Sequence, residues 1–152
     1  MTARHYMIAA ALGSGFLLLG AFAFQHIGGM APCKLCIWQR YPHAIAVALG
    51  AVAFFAPLGI VAVLGALAAL GTAGVGAYHV GVEQGWWEGP STCSSAPVGS
   101  LSTDDLMEQI MSAPLVRCDE IPWEMFGISM AGWNMLASLA FMGLWMLAYR
   151  KL

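Results

Sequence analysis

Charge is missing from this chain in three long blocks. Tyr6 to Gln25 carries none, and neither does Ala44 to Tyr78 or Gly127 to Tyr149. About 20 apolar residues in a helix, at about 1.5 Å each, cross a hydrocarbon core of about 30 Å. The first and last blocks each match one crossing. The middle block is too long for one and is interrupted once, at Ala56-Pro57-Leu58-Gly59. Pro and Gly together mark a turn. The pattern therefore predicts four spans, at about 6–26, 41–56, 58–80 and 128–148. The second is short, with Pro42 in its first turn or at its start, where a missing N–H is tolerated. The first exceeds the roughly 7–15 apolar residues of a signal-peptide core, so it is expected to be retained. The fold class expected is all-α: a polytopic membrane four-helix bundle, with residues 1–152 in a single membrane domain.

Composition supports a lipid bilayer as partner and no nucleic acid. The chain is 60% hydrophobic and 9% charged, whereas a soluble domain carries about 25% charged residues. Two polar loops remain, at about 27–40 and 81–127. All eight acidic residues lie between Glu83 and Glu124, with Arg117 the one basic residue among them. An even number of spans puts both termini on one side. Arg4 and Arg150-Lys151 flank those termini and favour the cytoplasm, which would leave both loops outside. Within the long loop, Ser102 and Asp105 fit N-cap and N3 positions, and Leu101 and Leu106 fit a hydrophobic staple. Leu106, Met107, Ile110 and Met111 then share a face until Pro114 stops the run. A short amphipathic helix is expected there, flat on the membrane or packed on its own protein.

The candidate chemistry is in the cysteines. All four lie in or beside the two loops: Cys33 and Cys36 in the first, Cys93 and Cys118 in the second. Cysteines facing an oxidising compartment read as disulfides. A CxxC can be a redox dithiol, half of a zinc site or a structural disulfide. Cys33-Lys34-Leu35-Cys36 precedes a helix, whose N-terminus carries partial positive charge. Arg40 follows Cys36 by one helical turn. Both features favour a thiolate, which is a good leaving group. As an alternative, Arg40 is an arginine snorkelling at the interface. Cys93 and Cys118 are read either as a structural disulfide or as an exchangeable one. Pro90 and Ser91 before Cys93, with Ser94 and Ser95 after it, suggest an exposed segment. Zinc is disfavoured, because Cys93 and Cys118 are far apart where zinc modules carry two close pairs, and no metal is expected. His79 closes the third span and is either an interfacial anchor or a functional group. By sequence, His5, His26 and His43 are placed alike.

At these residues the chain resembles the disulfide bond formation protein B (DsbB) family of bacterial inner-membrane oxidases. The resemblance rests on Cys33-Lys34-Leu35-Cys36 with Gln39-Arg40, on His79, on Cys93, and on Cys118 followed by Trp123, Phe126-Gly127 and Trp133. It implies a disulfide-generating, protein-dithiol:quinone oxidoreductase in the inner (plasma) membrane with its cysteines facing the periplasm. A reduced thioredoxin-fold oxidase of the DsbA type would attack Cys93. Cys93 and Cys118 would be reoxidised by exchange with Cys33–Cys36 through a bond between Cys33 and Cys118. Cys36 would face the membrane quinone pool, ubiquinone or menaquinone. Arg40 would lie at the quinone, with His79 bordering the same pocket. By the same resemblance Pro42, six residues after Cys36, threatens the register between Cys36 and Arg40. A vitamin K epoxide reductase-like enzyme is the nearest rival, but its quinone-facing CxxC sits late in the chain, whereas this one is early. A non-enzymatic membrane scaffold with two structural disulfides is the rival from another class.

Overall fold

The computed structural model describes residues 2–90, 93, 104, 107, 111 and 116–152. Four long helices account for most of them. Helix α1 runs Ala3–His26, α2 Lys34–Phe55, α3 Gly59–Glu83 and α4 Met130–Tyr149. The expected break at Ala56-Pro57-Leu58 separates α2 from α3, closed by Leu58 N–H donating to the Ala56 carbonyl at 2.9 Å. Of the short helix expected after Leu101, all but Asp104, Met107 and Met111 lie outside the described residues, and those three are helical.

Helix α2 departs from the sequence reading. It begins at Lys34 rather than about 41, so the CxxC sits on a helix and not in a loop 27–40, and Pro42 lies in its interior. The reason is local capping. The Cys33 sulfur accepts the Cys36 N–H at 3.2 Å, satisfying one of the orphan amides of a helix start. Proline inside a helix removes the N–H that would bond the carbonyl four residues back, here that of Trp38. One residue further on, Thr72 of α3 donates to the Gln39 carbonyl at 3.1 Å and ties α3 to this turn of α2.

Helices α1, α3 and α4 are long and apolar enough to cross a membrane. Helix α2 is the polar member, because Gln39, Arg40 and His43 occupy its first half. Small residues fill the bundle interior and large ones point outward. Ala10, Ala11, Ala53, Ala62, Ala66 and Ala69 are buried around Met7 and Trp145, while Phe16, Leu19 and Phe55 are exposed. Lipid tails are as apolar as leucine, so such helices associate through close contact rather than hydrophobic exclusion. Gly65 shows the limit of that closeness: a Cβ there would overlap the Trp145 indole.

The chain enters α4 through a two-residue hairpin that the sequence reading did not anticipate. Strands β1 (Glu124–Met125) and β2 (Ile128–Ser129) pair antiparallel, Glu124 with Ser129 and Met125 with Ile128. Phe126 and Gly127 form the turn, both with positive φ (55° and 72°). This is the primed turn geometry that matches strand twist. The hairpin delivers Ser129 as the N-cap of α4, accepting Gly132 N–H at 3.2 Å. It thereby brings the segment after Cys118 over the same end of the bundle as the CxxC.

Candidate functional site

All four predicted cysteines meet at that end. Cys33 and Cys36 are free, with their sulfurs 2.8 Å apart. Cys93 and Cys118 are joined in a disulfide, and Cys118 N–H donates to the Cys93 carbonyl at 2.8 Å. The two pairs share one buried cluster with Leu35 and Val82. The sulfurs of Cys33 and Cys118 and a ring nitrogen of His79 lie within 4.8 Å of one another. Cys118 is engaged in its disulfide and has no thiolate to offer, so this trio is a thiol–disulfide junction. The exposure expected around Cys93 falls on Ser91, Ser94 and Ser95, which lie outside the described residues; Cys93 itself is fully buried, because the disulfide holds its sulfur in the apolar cluster.

Beside Cys36 opens a cavity of about 360 Å³ between α1, α2, α4 and the hairpin. Its walls are largely apolar, with Phe16, Phe24 and Trp133 among them. Cys36, Arg40 and His79 all line it. Helix α2 runs unbroken through Pro42, so Arg40 keeps its place one turn beyond Cys36. Its guanidinium leans on α1: one nitrogen donates to Gln25 Oε1 at 2.6 Å and another to the Ala21 carbonyl at 3.4 Å. It also lies 5.0 Å from the centre of the Phe22 ring, a cation–π contact. Its remaining N–H groups are free to serve the cavity.

The histidines, alike by sequence, separate in space. His5 pairs with the Thr2 hydroxyl at the start of α1, and His26 stacks on Phe22. His43 and His79 are buried, and both line the cavity. Between them run Gln39, which the sequence reading named only as part of the motif, and Thr72 and Asn134, which it did not single out. A signal existed. Polar residues inside membrane helices are costly and face the bundle interior. Gln39 and His43 are one turn apart on α2, Thr72 and His79 two turns apart on α3, and Asn134 is near the start of α4.

The two thiols of the CxxC differ. Cys36 lies in the first turn of α2, ahead of the apolar tract beginning at Ala44. The Cys33 S–H beside it lowers its pKa to about 7, with burial opposing and Arg40 adding a smaller favourable effect. Cys33 is pushed up, chiefly by its hydrogen bond to Cys36 and then by burial. In the reduced protein, Cys36 is therefore expected to be the reactive sulfur. Its lowered pKa means that thiolate dominates above about pH 7 and disappears as pH falls through that value. Alkylation rates mapped by mass spectrometry should show this midpoint at Cys36 and little modification of Cys33 near neutrality. Replacing Cys33 with alanine should move the Cys36 midpoint up toward the ordinary thiol value of about 8.5. An unmoved midpoint would remove Cys33 as the cause.

A bundle of apolar helices that holds a CxxC against a loop disulfide, beside an apolar cavity, defines a membrane protein of thiol–disulfide chemistry. The chain belongs to the DsbB family: the family model described as "Disulfide bond formation protein DsbB" matches residues 3–148. Disulfide bond formation protein B of Verminephrobacter eiseniae is 33% identical, with the match covering 97% of this chain and 85% of that protein. Its counterpart in Stutzerimonas stutzeri is 30% identical over 97% of this chain and 96% of its own length. Disulfide bond formation protein B 2 of Pseudomonas aeruginosa is 32% identical over 87% and 82%. No solved structure matches the chain. Family and fold together assign a disulfide-forming oxidoreductase role in a membrane.

Proposed function

We propose that this protein reoxidises a periplasmic thioredoxin-fold dithiol of the DsbA type and passes the electrons through its two cysteine pairs to membrane quinone. The observation that carries the reading is the placement of Cys33. Its sulfur is within 4.8 Å of the Cys118 sulfur, while its CxxC partner Cys36 opens on the apolar cavity. One sulfur of the dithiol thus serves the loop disulfide and the other serves the lipid side. The cavity suits a quinone. Its apolar walls match a ring and prenyl tail, and Arg40 supplies donors for carbonyl oxygens.

In the relay, a partner thiolate attacks the Cys93 sulfur, and Cys118 leaves as thiolate. The partner's second thiolate then attacks its own half of the mixed disulfide, and Cys93 is released reduced. Cys118 attacks the oxidised CxxC at Cys33, making a Cys33–Cys118 bond and releasing Cys36 as thiolate. Cys93 then attacks Cys118, re-forming the loop disulfide and leaving Cys33 and Cys36 reduced; a quinone in the cavity, ubiquinone or menaquinone, would take up the two electrons and two protons released as Cys33 and Cys36 return to a disulfide. Arg40 favours the Cys36 thiolate and the charge developing on the acceptor. Because Cys93 is fully buried, its sulfur must become accessible before a partner thiolate can reach it. The reading carries the inner-membrane location, the whole chain acting as one membrane domain, and both termini in the cytoplasm, as Arg4, Arg150 and Lys151 favour.

The test is turnover. Purified protein, given a reduced DsbA-type protein and a water-soluble ubiquinone analogue, should reduce one quinone for each partner disulfide formed. Quinone absorbance and partner thiols are followed together. Absence of turnover with both cysteine pairs intact would leave a disulfide-stapled scaffold.

A further inference from the structure

The buried polar residues between His43 and Cys33 form one chain of hydrogen bonds, and every hydrogen in it can be placed. The anchor is the Gln39 carbonyl, which can only accept. Thr72 therefore gives it its single hydroxyl hydrogen, at 3.1 Å. With that hydrogen spent, Thr72 must accept from Asn134, so the amide nitrogen of Asn134 faces it, at 3.1 Å. The other hydrogen on Asn134 Nδ2 goes to Gln39 Oε1 at 2.7 Å. Asn134 Oδ1 then faces His43 Nε2 at 2.7 Å, so that nitrogen carries hydrogen. With Gln39 Oε1 committed, Gln39 presents its amide nitrogen to His79 Nδ1, at 3.0 Å. His79 Nδ1 must be bare, and the ring hydrogen sits on Nε2. That nitrogen faces the Cys33 sulfur at 3.6 Å and Glu83 Oε1 at 3.7 Å, with the Cys118 backbone carbonyl as a further acceptor. Glu83 is itself oriented by the Ser129 hydroxyl at 2.5 Å.

We propose that Gln39 and Asn134 are positioning residues: they hold His79 neutral with its hydrogen on Nε2, so that it donates to Cys33 and strengthens the Cys33 hydrogen bond to Cys36. Donation then runs one way, from His79 through the Cys33 S–H to the Cys36 sulfur, and hydrogen bonds in such a chain polarise one another. His79 is accordingly a fixed donor to the dithiol and not a base for it. Protonating Nδ1 would set it against the Gln39 NH₂. Gln39 cannot turn without meeting the Asn134 NH₂, and Asn134 is held by Thr72. Asn and Gln amides pass on orientation through such a chain but do not readily carry protons. The groups that bear on Cys36 are Cys33 and Arg40 of the α2 segment and Glu83 of α3. His79 of α3 and Cys118 of the loop stand next to Cys33. The cavity-lining residues of α1 and α4 include no titratable group.

This rests on the proposed relay only for the role of Cys36 as electron donor. Its test uses reduced full-length protein in detergent, with no quinone and no protein partner, so either idea can fail alone. Nitrogen-15 spectra of histidine-labelled protein, assigned with His79→Phe and His43→Phe, report which ring nitrogen bears hydrogen. The expected result is a bare Nδ1 and a protonated Nε2 in both buried histidines. In Gln39→Met the His79 signals should shift toward a mixture of tautomers. The Cys36 alkylation rate at pH 7 should fall about threefold as its thiolate fraction drops. Asn134→Leu, which does not touch His79, should move both readouts in the same direction by less. A hydrogen on His79 Nδ1 in the unmodified protein overturns the proposal. So does an unchanged Cys36 pH profile in a folded Gln39→Met that retains the Cys93–Cys118 disulfide. Should that variant fail to fold, the nitrogen signatures of the unmodified protein decide alone.

Discussion

Cys93→Ser is expected to stop oxidation of the DsbA-type partner, with a loss in turnover of at least about 10³-fold, the scale of removing a nucleophile or its acceptor from a covalent mechanism. The physical reason is that thiol–disulfide exchange needs a disulfide sulfur to attack. Without Cys93 the loop has none, since Cys118 has no other partner in its own pair. Cys33 and Cys36 are untouched by the change, with their sulfurs still adjacent. The variant should therefore oxidise its own CxxC with quinone in a single turnover while failing in steady state. The measurement is partner thiol content over time, with stopped-flow quinone reduction by the pre-reduced variant alongside. Normal steady-state oxidation of the partner would sink the relay, because electrons would then be entering at the CxxC directly.

The second large effect is expected at Arg40. Arg40→Ala should slow quinone reduction by roughly 10²–10³-fold, the typical cost of losing one aligned electrostatic donor in a site that excludes water. Exchange between the partner and the Cys93–Cys118 disulfide should be unaffected. Arg40→Lys should fall between the two. The observed guanidinium divides its fork between Gln25 and the Ala21 carbonyl on α1 and keeps donors free for the cavity. A lysine ammonium has no planar fork and cannot hold both partners while still reaching a third group in that geometry. Quinone KM and turnover, measured for both variants, separate the outcomes. If both match the unmodified protein, Arg40 serves only to tie α2 to α1 at the membrane edge.

The number of helices, their membrane character and the chemistry at one end follow from local sequence. A run without charge must be a span wherever it exceeds the thickness of a bilayer, and the Pro57 turn divides the middle run whatever surrounds it. Cysteine placement is similarly local: the four cysteines occur in or beside the polar segments at one end of the spans, and their pairing chemistry needs no further context to be suspected. Three decisions required the third dimension. Helix α2 starts at Lys34 because the Cys33 sulfur caps it, and its first turns are tied to α3 by Thr72, far away in sequence, donating to the Gln39 carbonyl; no window around Pro42 contains that hydroxyl. Cys93 is buried because its disulfide to Cys118 holds it in the apolar cluster with Leu35 and Val82, a placement its Ser-rich flanks do not reveal. And the four histidines, equivalent along the chain, divide into two at helix ends and two inside the bundle. A histidine's role depends on which atoms face its ring nitrogens. For His79 those atoms come from Glu83, one turn along α3, and from Gln39 of α2 and its cap Cys33, which only helix packing brings to the ring.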